Sequence, residues 1–475
     1  MRVTIQFDVL ERDTLEVLHP IRSRRNEIAT INRIPPEILA LLPDFWERDE
    51  RDQDVIALTH VCRTWRELFI SYSTFWTHFN CEDLDKTLVY LERSKSSPIN
   101  LSLYRDDDLA SYDSLFRVIP QAVGRLRSLT IHGTPWNLRD ITNQLSCRAP
   151  LLEDMSIQGN CSFEPGDNLV VTSTLLGGDL SSLCKLHLAH VHTELPWRNM
   201  VKLTSLTLVH TSPVSIGQLL DFFASAPHLC GVNLHFEIPT SGAQSGRLVS
   251  LACLKSMRID GGPSTVLLNH LLIPVGARLA IEVDLPNPSI VGHPPRFLDN
   301  LRNLPDFNTI KLHGGSHLHI QFSGPNGEVY MAITSRVRWT CDSLLESLAL
   351  FDTSKTRRLE IGAGCTPSSG YPYRALLPME DLRTIALYQC ETPYTFIYAL
   401  NPSVGSSGVM VCPKLEELVI EPQQALNIRN VVGMAAARES RGAKLKSVRV
   451  LSQRAFAWIE VFALQKHVAH VECGR

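Results

Sequence analysis

His313, His317 and His319 invite a metal reading, because imidazole nitrogen is a common zinc ligand. His317 and His319 would share one side of a strand. Gly314 and Gly315 interrupt the segment, and no acidic or thiol ligand lies nearby in sequence, so no metal site is expected. Asp106-Asp107-Asp108 could act as an acid cluster but reads better as the turn after a first strand. Twelve cysteines run from Cys62 to Cys473 without one C-x-x-C pair, which fits reduced thiols rather than a disulfide framework or a metal knuckle. Asn100-Leu101-Ser102 and Asn160-Cys161-Ser162 match a glycosylation acceptor pattern only by coincidence. No G-x-G-x-x-G, G-x-x-x-x-G-K, H-E-x-x-H or G-x-S-x-G occurs. The expectation is a chain that is not an enzyme, with no catalytic, cofactor-binding or metal residues.

The elements that carry these residues are set by a repeat. Eleven times a leucine-type residue recurs at i, i+3 and i+5, starting at Leu126, Leu152, Leu183, Leu203, Leu229, Leu254, Phe307, Leu345, Leu382, Leu415 and Leu445. Ile281 and Val283 mark a further strand in the long gap before Phe307. Ile99, Leu101 and Leu103 alternate like a strand ahead of the first phrase. Residues i+3 and i+5 point inward from a short strand, and residue i closes the preceding turn on the same core. Each unit cannot bury its apolar side alone and must stack on a neighbour. The step falls in the leucine-rich-repeat range. Its ladder slot at i+8 is degenerate, holding Thr134, Asn160, Val191, Thr211, Gly262 and Cys390. Pro150, Pro227 and Pro413 enter the turns before three phrases. Long insertions are expected around 261–300, 353–380 and 390–412.

Ahead of the repeats lies a different texture. Leu10–Glu16 and Arg22–Ala29 could form short helices. Ile34-Pro35-Pro36-Glu37-Ile38-Leu39 opens a helix, with proline tolerated in the first turn and Glu37 favourable at its positive end. It should end near Pro43. Asp54 is a candidate cap for a second helix over Val55–Ile70, whose apolar residues recur at three and four. Ser73 or Thr74 could cap a last short helix with Phe75, Trp76 and Phe79. Leu84, Leu88 and Leu91 suggest a linking helix ended by Ser96-Ser97-Pro98. The organisation is thus a helical lead-in over 1–30, a helical module over 31–80, a linker over 81–98 and a repeat domain over 99–475. The fold class is α/β: a small three-helix module, then an irregular solenoid with a parallel sheet on its concave side.

The run Ile34-Pro35-Pro36-Glu37-Ile38-Leu39, then Val61-Cys62-Arg63-Thr64-Trp65-Arg66-Glu67-Leu68 and Phe75-Trp76, resembles an F-box, most closely those of mushroom-forming fungi. The family pattern is leucine-proline, an acidic residue, an apolar helix, V-C-x-x-W-R-x-L and a closing aromatic pair. Ile34 replaces the usual leucine, and the loop with Glu47 to Asp52 is a few residues longer. The resemblance implies that Ile34, Pro35, Pro36, Ile38, Leu39, Val61, Cys62, Trp65, Leu68 and Trp76 face a Skp-type adaptor. Through it the chain would reach a cullin and a ring-finger subunit of a ubiquitin ligase. The repeat domain would hold an unknown protein substrate. The alternative is a leucine-rich-repeat scaffold that binds proteins without any ligase.

Alternation sends the neighbours of the buried positions outward. These include His132, Gln158, His187, His235, Arg258, Lys311, His313, Phe351 and Tyr388, with Thr130, Ser156, Asn233, Asp260 and Glu421 beside them. The mixture of both charges with two aromatics suits a protein-binding face. A net charge of −3 argues against broad nucleic-acid or membrane-surface binding. The sequence contains no run of about 18 apolar residues and no apolar secretory core at its start, so a cytoplasmic or nuclear protein is expected.

Overall fold

The computed structural model describes residues 2–39, 41, 51–80, 83–104, 120–160, 170–195, 197–211, 214–235, 247–260, 267–274, 276–284, 308–314, 318–324, 327–334, 342, 345, 348, 353–365, 367, 370–403, 410–452 and 456–474. It is a mixed α/β structure with extensive parallel sheet and, among the described residues, no closed barrel. The chain forms two compact units, Met1–Leu203 and Thr204–Arg475.

The first unit opens with α1 (Arg2–Ile28), a short 3-10 turn and α2 (Pro36–Leu39). α1 is one helix rather than two. Pro20 removes only one internal hydrogen bond, and no capping or glycine signal stands beside it. The helix expected over Val55–Ile70 is instead a pair, α3 (Arg51–Thr59) and α4 (Arg63–Ser71), so Asp54 is not a cap. Thr59, His60 and Val61 are poor helix formers, and the chain turns there before Cys62 extends at φ −158° to start α4. A 3-10 turn, Ser73–Trp76, follows without a side-chain cap. α5 (Leu84–Arg93) is capped by Asp83, which accepts from the Lys86 N–H at 3.0 Å.

The module's core is aromatic. Phe69 lies 4.7 Å from Phe75 between ring centres, and Trp76 meets Tyr90 edge-on at 4.9 Å. Trp65 Nε1 donates to Asn32 Oδ1 at 2.7 Å, and Trp76 Nε1 to the Phe69 carbonyl at 2.8 Å.

The strands of this unit are β1 (His78–Asn80), β2 (Ile99–Tyr104), β3 (Leu126–Gly133), β4 (Asp154–Gly159), β5 (Val170–Val171), β6 (Lys185–Ala189) and β7 (His192–Thr193). β1, β2, β3, β4 and β6 pair in that order, all parallel. β5 and β7 form a separate parallel pair. α6 (Pro135–Gln144) connects β3 to β4. Phe79, expected in a helix, sits in β1, where Trp76 and Phe79 take the buried i and i+3 places. The repeat therefore begins inside the segment that carries the helical motif.

The second unit holds β8 (Ser205–Val209), β9 (Gly231–His235), β10 (Val249–Ser250), β11 (Ser256–Asp260), β12 (Leu271–Leu272), β13 (Arg278–Asp284), β14 (Thr309–His313), β15 (Leu318–Gly324), β16 (Gly327–Thr334), β17 (Arg358–Ile361), β18 (Thr384–Cys390), β19 (Glu417–Pro422), β20 (Ser447–Leu451) and β21 (His470–Gly474). Its main sheet runs β8-β9-β11-β13-β16-β15-β14-β17-β18-β19-β20-β21. Every pairing is parallel except those of β15 with its two neighbours. A meander is thus spliced into the stack: β13 and β14 are not adjacent, and β16 and β15 stand between them. α7 (Ile216–Ser225) carries a capping box from Ser215 and Gln218. α8 (Tyr371–Leu376), α9 (Pro393–Leu400), α10 (Ile428–Ser440) and α11 (Trp458–Gln465) pack in succession.

Most phrases do become strands, with i, i+3 and i+5 buried. Most of the turns before them are closed by the N–H of residue i reaching the carbonyl of i−3, as from Leu152 to Ala149, Leu229 to Ala226 and Leu415 to Cys412. Pro150, Pro227 and Pro413 occupy the second turn position, where a fixed φ suits the bend. The phrase at Leu345 is an exception: Leu345 and Leu348 are helical. The rung there is built by Thr356, Leu359 and Ile361, all fully buried. Thr356 hides from the apolar pattern because its methyl does leucine's work. Phe307, the first residue of another phrase, lies outside the described residues.

At the ladder slot, Cys390 Sγ points to the Cys365 carbonyl at 3.9 Å, whereas Thr211 Oγ1 is buried without a partner. Close approach shapes one corner: a Cβ on Gly362 would collide with His313 Nδ1. The nine described cysteines are free thiols, and burial pushes Cys390 up to about 11 and Cys412 up to about 12.

Arg438 on α10 is wholly buried. Its guanidinium donates to the carbonyls of Val411 at 2.9 Å, Cys412 at 2.7 Å and Leu400 at 3.4 Å. It ties the end of α9 and the turn before β19 to α10. Arg438→Ala should strand three carbonyls and open a cavity, lowering stability by about 3–5 kcal/mol in denaturant unfolding. Thr356→Val should do the opposite. Thr356 Oγ1 is buried with no partner, so removing it should raise stability by about 1 kcal/mol in the same assay.

Candidate functional site

Two surfaces of the first unit and one of the second carry the residues singled out by sequence. On the helical module, α2 and the turn before α4 present apolar groups to solvent. Ile38 is 54% exposed and Val61 52% exposed, and Pro35 and Pro36 are exposed beside them. Ile28, Ile31 and Leu41 are exposed as well. Ile34, Cys62 and Leu68 are half-buried. Leu39, Trp65 and Trp76 do not belong to this surface. All three are buried, Trp76 to 1% exposure, and the two indoles are satisfied by hydrogen bonds within the chain. The break between α3 and α4 decides this division: it lifts Val61 out of the helix face that packs inward.

The polar face of the first unit's sheet is built by strict register. Asn80, Ser102, Thr130, Ser156 and His187 form one row across five strands. His78, Asn100, Ser128, Asp154 and Lys185 form the row below, and Tyr104, His132 and Gln158 lie above. Side chains are bonded across strands both within a row and between rows. Gln158 Nε2 donates to His187 Nδ1 at 3.2 Å, which leaves that ring's proton on Nε2. Asn100 Nδ2 likewise donates to His78 Nε2 at 2.5 Å. Tyr104 and His132 have ring centres 6.3 Å apart.

The second unit repeats the scheme with charge. Thr207, Asn233, Arg258 and Ala280 share one row, and Lys311, Glu360, Ala386, Val419 and Arg449 another. Glu360 joins Lys311 at 3.2 Å and Arg358 at 2.5 Å, and Glu417 joins Arg449 at 2.5 Å. Burial works against the Glu360 carboxylate, but hydrogen bonds from Arg358 and Lys311 outweigh it and hold its pKa below the usual range. Asp260 is buried between Arg258 Nε and His235 Nδ1, each at 2.9 Å, and His210 packs edge-on against His235. Sequence alternation did not mark Asp260 as buried, because two long neighbours cover it. Ala386 and Val419 are also buried on this face, so it is not solvated throughout.

The outward residues thus lie where alternation puts them: His132 on β3, Gln158 on β4, His187 on β6, His235 on β9, Arg258 on β11, Lys311 and His313 on β14, and Tyr388 on β18. They belong to separate rows in two units. Phe351 and His317 lie outside the described residues. His313 and His319 face each other across β14 and β15. Among the described residues, no group of three or more His, Cys, Asp or Glu is placed to hold a metal, and no helix is long and apolar enough to cross a membrane.

Asn80 was not marked by sequence. Its Oδ1 is buried without a partner, and only the register of β1, itself unexpected, brings it to the polar face. No protein-family model matches this chain, and no curated protein is detectably similar to it.

Burial lowers the His187 imidazole below its ordinary 6.5, with Asp154 opposing weakly. The unfolded chain therefore takes up a proton that the folded chain resists. Stability should be fully present above that ordinary value and decline as pH falls below it, toward the folded value. His187→Gln should flatten this decline when unfolding is compared at about pH 7.5 and about pH 5.5.

Proposed function

We propose that the chain is a substrate-recognition adaptor of a Skp–cullin–F-box type ubiquitin ligase. One observation carries the reading. Within the segment that resembles an F-box, a module with a complete aromatic core still exposes Pro35, Pro36, Ile38 and Val61. Pro35, Pro36 and Ile38 fall within four residues, and apolar groups exposed together mark an interaction site better than scattered ones. In this reading they dock a Skp-type adaptor, and the adaptor connects to a cullin.

The stacked strands then act as an irregular leucine-rich-repeat solenoid. Its polar rows form the concave face that holds a target protein. Ubiquitin transfer is performed by other subunits, so this chain needs no catalytic group or cofactor. Such a protein works in the cytoplasm or nucleus.

The test is reconstitution of the full chain with a purified Skp-type adaptor. Ile38→Asp and Val61→Asp should each weaken capture at least about tenfold while the melting temperature stays unchanged, because exposed positions contribute little to folding. Trp65→Ala should lower the melting temperature and lose binding as a secondary effect. Failure of the folded wild-type chain to bind any such adaptor would remove the ligase role.

A further inference from the structure

The sheet of the first unit carries a cavity of about 870 Å³ on its polar face. That is ample for a small organic ligand, for which sites of roughly 300–1,000 Å³ are usual. Nothing in the adaptor reading assigns it a small-molecule ligand.

The chemistry of the lining is specific. Asn80, Asn100, Ser102, Ser128 and Thr130 supply its floor, from three adjacent strands. Its charges cancel locally: Arg127 pairs with Glu153 at 2.9 Å, and Lys185 stands 3.8 Å from Asp154. The corresponding rows in the second unit carry Lys311, Glu360 and Arg449 instead. The floor therefore offers no field for an anion or a cation. It offers hydroxyls and amides, which both donate and accept.

Two further observations narrow the ligand. Asn80 Oδ1 is buried and has no hydrogen-bond partner. A buried acceptor without a donor is costly, and turning the Asn80 amide toward the cavity would let a ligand hydroxyl satisfy it. Two residues beyond Ser102, the register partner of Asn80, Tyr104 is 45% exposed, with His132 beside it. An exposed ring of this kind gives a flat apolar platform next to a polar floor. An apolar ligand would bury the hydroxyls unpaired. A charged one would have to compete with existing ion pairs. A molecule with many neutral hydroxyls and one C–H face meets both parts.

We propose that this trough binds a neutral carbohydrate about two to three sugar units long. The sugar hydroxyls bond the Asn80, Ser102 and Thr130 row, and one ring stacks on Tyr104. The assignment does not depend on the adaptor role, and loss of adaptor binding leaves it untouched.

Saturation-transfer NMR on the full chain tests it, with maltotriose, cellobiose, mannotriose and diacetylchitobiose as probes, followed by calorimetric titration of any that bind. At least one probe should receive saturation. Asn80→Ala should weaken its binding about 3- to 10-fold, with the melting temperature unchanged or raised, because Oδ1 bonds nothing inside the chain. Tyr104→Ala should weaken it about tenfold. Ser102→Ala, with a loss of about threefold, serves as a second floor variant. No transfer to any probe at about 10 mM would overturn the proposal. So would binding that survives all three substitutions undiminished.

Discussion

One backbone contact organises the stacked strands. The carbonyl of residue i+1 in one rung accepts the N–H groups of i+1 and i+2 in the next. Arg383 receives Glu416 and Glu417, and Glu416 receives Lys446 and Ser447. Arg357 receives Arg383 and Thr384 in the same way. Because the contact recurs at one phase of the repeat, the parallel rungs that share it are pinned in register. A slip of one residue would turn each buried leucine to the polar face and each polar residue to the core. Rows of like-positioned side chains follow directly. The cavity, the charge networks and the core are all consequences of this phase.

The apolar phrase is sufficient to find most rungs, since few structures besides a stacked strand need leucine at i, i+3 and i+5. It fails where another residue type can do the same packing. Thr356 fills a leucine's place, Ala277 leads into β13, and Trp76 leads into β1. It also fails where a leucine pattern serves a helix, as at Leu345 and Leu348. The spliced meander is invisible for a different reason. Strand order is set by which edges meet, and a strand's own residues do not encode its neighbour. The left-handed residues His190, His210 and Gln389, each at i+7, leave no glycine signal either.

The helical motif is legible as residue types but not as geometry. Spacing at three and four suggests one continuous helix through Val61 and Cys62, and the observed break reverses the fate of Val61. Burial then separates two roles that the motif alone merges. Trp65 and Trp76 hold the module together, while Ile38 and Val61 stay exposed. The polar faces show the same limit. Alternation gives the side of the sheet, but whether a residue there is solvated depends on its cross-strand neighbours, as Asp260 and Ala386 show.

Arg438 has a mechanical consequence. In a stack where each rung touches only those beside it, a pull on one terminus unzips rungs one after another. β21 pairs only with β20 among the described residues, so under traction it detaches first, followed by α11 and β20. Arg438 then stands in the way, clamped to three carbonyls of preceding segments. An unfolding motor working from the C-terminal end would meet easy peeling, then a stall, and the stall would keep α9, β18 and β19 folded behind it.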